Sequence, residues 1–405
     1  MIASISWRNI WRNKWRSAVI ILAIAAGLTG GIFTVAMHNG MTEQKLRTAV
    51  DIQTAHLQVH APRFLKNKDI RLYLDNAAGA IRALENQSAV KAVAGRLVTT
   101  AMAASSHANA GVQINGVVPE TEMKISTIHS SIIDGAYFET GKRNQIVISS
   151  RTAKKLKLGL NGKLVITLQD IHGEIVGAAF RVTGIFKTTH SMFDEANVFV
   201  RKQDLERIVS MPDIINEVAV RLHNIEDAPL VQSRLYEKFK PTHAEILSWR
   251  EIQPELAYIN DATWQMNYLV LIIILLALAF GILNTMLMAI FERVKEIGVL
   301  MAVGMSKWRI FMMIILETVF LSLTGAAAGM IVSAVVVYWT NRSGIDLSMF
   351  AQGLESFGIS SIVYPALDAR FYGSLAIMVV VSAILSALYP AIKALKLKPV
   401  EAIHG

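Results

Sequence analysis

Cysteine is absent from the 405 residues, which excludes disulfides, thiolate metal ligation and a cysteine nucleophile. No G-x-x-x-x-G-K-[ST] phosphate loop occurs, so the chain cannot hydrolyse ATP alone. A G-x-S-x-G elbow is also missing, and Ser149 and Ser150 have no base nearby in sequence. His56 and His60 alternate onto one strand face, yet no third ligand joins them, so no metal centre is expected. Over long stretches the chain also lacks charge. Runs free of Asp, Glu, Lys and Arg cover Ser17–Thr42, Ala262–Phe291, Thr318–Asn341 and Phe371–Ile392. Each reaches the ~20 residues that an α-helix needs to cross ~30 Å of hydrocarbon.

These runs account for a hydrophobic fraction of 53% and a mean hydropathy of +0.41. They predict an α-helical integral membrane protein with four transmembrane helices, one plus three. A large α+β extracytoplasmic domain is inserted between the first and second, long enough to bury its own core. The net charge of +9 follows topology. Arg8, Arg12, Lys14, Arg16, Arg293, Lys295, Lys307, Arg309, Lys393, Lys396 and Lys398 flank the spans on one side, against only Glu292, Glu296 and Glu401. That is a positive-inside pattern: termini and second loop cytoplasmic, insert outside. Nucleic acid is not an expected partner. The first span is read as a retained helix and not as a cleaved signal peptide.

Ahead of it, Trp7, Trp11 and Trp15 recur every four residues beside Arg8, Arg12 and Arg16. Indoles favour the headgroup boundary and arginines favour phosphates, which predicts an interfacial elbow helix over 1–16. Trp264, Trp308 and Trp339 fall at predicted span ends. Ser17–Thr42 and Ala262–Phe291 would run ~39 and ~45 Å as helices, more than the bilayer requires. Part of that surplus is expected to continue outward as a stalk. Gly27-x3-Gly31 and Gly325-x3-Gly329 match the small-xxx-small pattern of close helix packing. Asn284 and Glu317 are the intramembrane polar exceptions. For Glu317 a structural pairing with a basic group is favoured over proton coupling.

Between the second and third spans the chain reads Glu292-Arg293-Val294-Lys295-Glu296-Ile297-Gly298-Val299-Leu300-Met301-Ala302-Val303-Gly304. Val294, Ile297 and Met301 share one helical face, with Arg293, Glu296 and Leu300 beside it. Such a short amphipathic helix suits docking to a cytoplasmic partner. The stretch resembles the E-R-x-x-E-I-G-x-x-x-A-x-G signature of the FtsX/MacB-type (type VII) permease family of ABC transporters. Ser6-Trp7-Arg8-Asn9-Ile10-Trp11-Arg12-Asn13 resembles that family's N-terminus. Tyr389-Pro390-Ala391 with Lys398-Pro399-Val400-Glu401-Ala402-Ile403 resembles its C-terminus. Gly116-Val117-Val118-Pro119-Glu120, Gly135-Ala136-Tyr137-Phe138 and the run from Ile146 through Phe186 resemble its extracytoplasmic domain. In layout, and at Ala55-His56-Leu57-Gln58-Val59-His60, the chain is most similar to the lipoprotein-releasing permeases.

The resemblance implies a coupling helix seated in a cytoplasmic ABC ATPase dimer, with Glu292, Arg293, Glu296, Ile297, Gly298 and Gly304 as its coupling residues. ATP and Mg would then sit on that ATPase, and none on this chain. Because the chain starts at the elbow, the ATPase is expected to be a separate polypeptide. A second permease copy or paralogue, a periplasmic lipoprotein carrier and membrane lipid are the other expected partners, in a bacterial inner membrane. The cargo is expected to be a lipoprotein or lipid, held by Leu28, Ile32, Phe33, Met37, Met266, Leu269 and Ile273 in the outer halves of the first two spans. Acyl chains gain about 0.8 kcal/mol per buried CH₂ there. Two alternatives stay open: efflux of a drug, peptide or toxin from the periplasm, and regulation of an envelope enzyme without transport.

The expected organisation is an elbow at 1–16, spans at 17–42, 262–291, 310–341 and 371–392, and an extracytoplasmic domain at 43–261. A coupling segment follows at 292–309, an external loop at 342–370 and a tail at 393–405. Strands are expected at His56–His60, Val112–Val118, Gln145–Ser149, Lys163–Leu168, Ala178–Phe186, Asn197–Val200 and Glu217–Leu222. Helices are expected at Ala77–Leu84, Arg151–Leu156, Lys202–Val209 and Pro229–Phe239, with a hairpin turn at His172-Gly173. By resemblance, the domain divides into a stalk-proximal portion (43–130 with 211–261) and an inserted β-rich portion (131–210).

Overall fold

A computed structural model describes residues 2–239 and 244–396, and the side chains of 237, 238 and 352 lie outside that description. Lys398-Pro399-Val400-Glu401-Ala402-Ile403, invoked above for the C-terminus, falls outside the described residues. The chain divides into a membrane unit (residues up to 42, 261–346 and from 362) and an extramembrane unit (43–260 with 347–361).

Among the described residues four helices are long and apolar enough to span a bilayer. They cover Lys14–Ala49, Pro254–Glu292, Lys307–Ser343 and Ala369–Leu395. Each is longer than its charge-free run, because capping and amphipathic turns carry a helix on after the apolar residues end. Glycines let these helices approach. A Cβ on Gly27 would lie 2.8 Å from the Leu278 side chain, and one on Gly31 2.7 Å from that of Ile274, so the first and second spans meet there. A Cβ on Gly329 would lie 2.9 Å from the Ala25 carbonyl oxygen, which brings the third span onto the first. Both small-xxx-small pairs thus acquire partners.

Toward the extramembrane end of the membrane unit the first two spans are also tied by polar groups. Asn267 Nδ2 donates to Asn39 Oδ1 at 2.6 Å, His38 Nδ1 faces Asn267 Oδ1 at 3.3 Å, and the Thr42 and Thr263 hydroxyls are 3.4 Å apart. The first helix ends in one π turn, Val50–Thr54. Within the extramembrane unit, Leu46, Ala49 and Val50 pack with Leu256 and Ala257 around Trp249. The two long helices therefore keep contact past the apolar runs, as a stalk requires.

Ten strands build the extramembrane sheet: β1 (Leu57–His60), β2 (Val90–Ala104), β3 (Asn109–Val117), β4 (Ile132–Gly135), β5 (Gln145–Ser149), β6 (Lys163–Gln169), β7 (Ile175–Phe186), β8 (Asn197–Arg201), β9 (Glu217–Leu222) and β10 (Glu245–Ser248). Their order is β10-β1-β9-β2-β3-β8-β5-β7-β4, with β6 joining β2 to β7. β3–β8 and β5–β7 are parallel and the other pairs antiparallel. The β6–β7 hairpin turns at His172-Gly173 as expected, where Gly173 has φ +83° and Asp170 accepts from the amides of His172 and Glu174.

The division at residue 131 needs correction. β2 pairs with β9 through Arg96 and with β3 from Leu97 onward. One core gathers Leu97, Val112, Ile114, Ile148, Leu164, Val182 and Val200, and a second gathers Leu57, Val59, Val93, Val218 and Val220. The boundary between lobes therefore runs through β2. At the changeover Arg96 is buried, paired with Glu122 at 2.6 Å and Glu217 at 2.9 Å. Asn216 there bonds both backbone groups of Val98.

Candidate functional site: the short helix between the second and third spans

The segment after Phe291 folds as a separate helix, Val294–Ala302. The second span ends at Glu292, and Arg293 leaves helical geometry at φ −109° and ψ 16°. At the far end Gly304 takes φ +94°, which L side chains disfavour. Its amide donates to Met301 O and that of Met305 to Leu300 O, which closes the helix in a left-handed cap. Lys307 then begins the third span.

Ion pairs fix the helix in place. Arg12 of the elbow helix (Ile2–Arg12) reaches Glu296 at 2.5 Å, and Arg16 reaches Glu292 at 2.9 Å. Arg293 donates through Nε to Glu296 at 3.0 Å and through Nη1 to Glu317 at 3.1 Å. A chain of charges thus runs from the elbow through the short helix into the third span. Hydrogen bonds from Arg12 and then Arg293 hold the Glu296 carboxyl below the usual carboxylate range. The elbow is itself tethered. Ile10 is buried, Ser6 Oγ donates to Met313 O at 3.1 Å, and Ser17 Oγ donates to Ile10 O at 2.5 Å. The elbow helix stops at Arg12 and not at residue 16, so Trp7 and Trp11 stay exposed on it while Trp15 is exposed in the first turn of the first span, as Trp264, Trp308 and Trp339 are near span ends.

Two expectations need correction here. The apolar face of the short helix points inward: Ile297 belongs to the core of the span bundle and Met301 packs against it. Ile297 and Gly298 are buried, so they position the helix and present nothing to a partner. The surface left open comprises Lys295, Glu296, Val299, Ala302, Val303 and Gly304, with Val303 at 83% exposure. Sequence reasoning also placed Arg12 and Arg16 among lipid phosphates, whereas both pair with glutamates nearly 300 positions away. No local signal in the sequence announces such a contact.

Glu317, only 8% exposed in its side chain, has the basic partner expected of it. Asn284 is exposed on the second span. The seven residues assigned to a cleft separate into groups. Leu28 and Ile32 are fully buried among the spans, because Gly325 and Gly329 draw the third helix onto their side of the first. They cannot line a cleft in this chain. Phe33 and Met37 are half-buried, and Met266, Leu269 and Ile273 are exposed. A different apolar groove of about 400 Å³ lies between the second and fourth spans, lined by Leu276, Phe280, Ile377, Val381 and Leu385. Among the described residues no cluster of three or more His, Asp or Glu side chains suits a metal ion. In the extramembrane unit, His56 Nδ1 accepts from the Leu222 amide at 3.1 Å, which gives this histidine a structural role in the sheet.

Residues 17–237 match the MacB-like periplasmic core domain, and residues 268–399 match the FtsX-like permease C-terminal domain. The lipoprotein-releasing system transmembrane protein LolC of Xylella fastidiosa is 23% identical, over 95% of this chain and 92% of its own length. The macrolide export ATP-binding/permease protein MacB of Vibrio parahaemolyticus is also 23% identical, over 94% of this chain but 56% of its own length. The crystal structure of the periplasmic region of MacB from Actinobacillus actinomycetemcomitans superposes with a TM-score of 0.38 at 12% identity, covering 53% of this chain and 97% of that one. By the two domain matches and the relatives in sequence, the chain belongs to the FtsX/MacB-type family of ABC transporter permeases, with a LolC-like layout.

Proposed function

We propose that this chain is the membrane subunit of an ABC transporter and passes on force generated by ATP hydrolysis on separate cytoplasmic ATPase subunits. The observation that carries the reading is the short helix Val294–Ala302, ion-paired to the elbow and to the third span while Val299 and Val303 face outward. A push on that surface is delivered to three membrane elements at once. The second span carries it to the stalk and so to the periplasmic domain. In this reading the termini and the short helix are cytoplasmic, and ATP and Mg belong to the partner.

The cargo we favour is a lipoprotein or lipid leaving the outer leaflet of the inner membrane. It is supported by the likeness to LolC along almost the full length of both chains. The likeness to MacB, named for macrolide export, supports periplasmic efflux as the second reading.

Two experiments test these readings. Val303→Asp places a carboxylate on the open surface without touching the ion-pair network. The variant is expected to keep its thermal transition in detergent but to lose co-purification with its ATPase, and wild-type co-purification would overturn the coupling role. Mass spectrometry of ligand bound to the purified complex then separates the cargoes. Acylated peptide or phospholipid supports release, whereas a soluble drug or peptide with an adaptor protein supports efflux.

A further inference from the structure

The segment between the third and fourth spans belongs to the extramembrane unit. It leaves the third span at Ser343 and forms a two-stranded ribbon, β11 (Ile345–Asp346) with β12 (Ile362–Val363). Between them lie a 3₁₀ turn, Ser348–Phe350, and a short helix, Ala351–Ser356. Residues 347–361 contain a single charge, Glu355. Its carboxylate is turned onto the extramembrane domain, 3.2 Å from Lys187 Nζ and 3.6 Å from Arg151 Nη2. Gly358 is buried where a Cβ would stand 2.8 Å from the His190 ring. The segment is thus clasped on one side. The same segment exposes Met349 (94%), Phe350 (65%) and Phe357 (65%).

Large apolar side chains grouped on a surface mark a contact, and the occupant must be apolar and must lie within reach of the span ends. Phe350 is seven residues past Ser343, hence at most ~25 Å from it along the chain. The last turns of the third span expose Tyr338 and Trp339, the residue types that settle at the headgroup boundary. β12 is followed at once by exposed Tyr364. In sequence, the apolar residues of the segment thus follow closely on a membrane boundary, and its one carboxylate is held in ion pairs with Lys187 and Arg151.

We propose that residues 347–361 form an interfacial tongue whose Met349, Phe350 and Phe357 insert into the outer leaflet, while Glu355 clasps the tongue to the periplasmic domain. This gives that domain a lipid anchor in addition to the stalk, whichever cargo the transporter carries. The apolar tips displace water from the acyl boundary, and the salt bridges remain in the aqueous layer.

Because the chain has no cysteine, single nitroxide labels can be placed at Met349→Cys, Phe350→Cys and Phe357→Cys in the full chain, reconstituted with its ATPase in phospholipid nanodiscs. References are Val332→Cys, exposed on the third span, and His172→Cys at the hairpin turn. Collision with oxygen and with a neutral nickel chelate is read by electron paramagnetic resonance. Insertion predicts oxygen-to-nickel accessibility ratios at all three sites above that of His172→Cys and displaced toward that of Val332→Cys. Ratios equal to that of His172→Cys would overturn the tongue. So would protection from both reagents, which means that protein covers the face. In a Phe357→Cys background, Glu355→Gln is expected to increase nitroxide mobility, and unchanged mobility removes the clasp.

Discussion

Single side chains settle two chemical questions. Arg293 and Glu317 are largely withdrawn from water, so removing one strands the other. Glu317→Leu should cost about 3 kcal/mol, whereas the double variant Arg293→Leu/Glu317→Leu should cost less than the two single losses combined. Denaturant titration of all four proteins in one detergent measures the coupling, and strict additivity would refute the pair. His56 concerns pH. Burial first, and the nearby Arg221 charge second, lower it from the ordinary 6.5 to about 4. The unfolded chain takes up a proton near 6.5 and the folded chain only near 4, so stability is flat above that window and falls as pH drops through it. In melting experiments between pH 8 and 4.5, His56→Asn keeps an acceptor for the Leu222 amide and should flatten the acid side. An unchanged slope would mean that other groups control it. Neither the pairing nor the burial was legible in sequence. Glu317 announced a need for a partner, but Arg293 is 24 positions away and only the turn at the end of the second span brings it back.

At the scale of elements, helices and sheet differ in how openly they are written. The four spans follow from charge-free length, and the strands at Gln145–Ser149 and Glu217–Leu222 from β-branched, alternating composition. β2 had no such signal. Val90–Ala104 is rich in alanine with a central Gly95, a composition of weak strand preference, and pairing with β3, β6 and β9 overrides it. β4 and β10 are short and defined only by their partners. The short helix after the second span was legible as a motif, but which of its residues are exposed was not. A period of 3.6 shows that a helix has an apolar face and leaves open whether that face meets the bundle or a second protein. Glycine spacing was more informative once contacts were known. Gly329→Val forces a branched side chain against the backbone of Ala25 and should lower stability by about 1–3 kcal/mol. Gly30→Val meets nothing within 4 Å and should be close to neutral. Thermal shift in matched micelles compares them, and equal losses would argue against the packing assigned to the first and third spans.

For the whole molecule, the outstanding prediction concerns sidedness. In intact cells, Lys295→Cys should resist a membrane-impermeant maleimide while His172→Cys reacts. In inverted vesicles the pattern should reverse. Labelling of both positions from one side would leave the short helix unable to meet a cytoplasmic ATPase. The basic residues flanking the spans are the sequence basis for this expected orientation. The cargo was not readable, because apolar side chains facing lipid and apolar side chains facing cargo are chemically alike. Leu28 and Ile32 illustrate the difficulty, since only the approach of a third helix shows that they face neither.

The fifteen-residue strand β2 carries one more implication. Because a single unbroken backbone is hydrogen-bonded into both lobes, neither lobe can swing alone without tearing ladder bonds on either side of Arg96. Under the proposed coupling, the two lobes of the periplasmic domain would therefore respond together to any force that reaches them. If the proposed transporter holds a second permease copy, opening and shutting around its cargo would fall to the space between the two copies' domains, and not to any jaw within one of them.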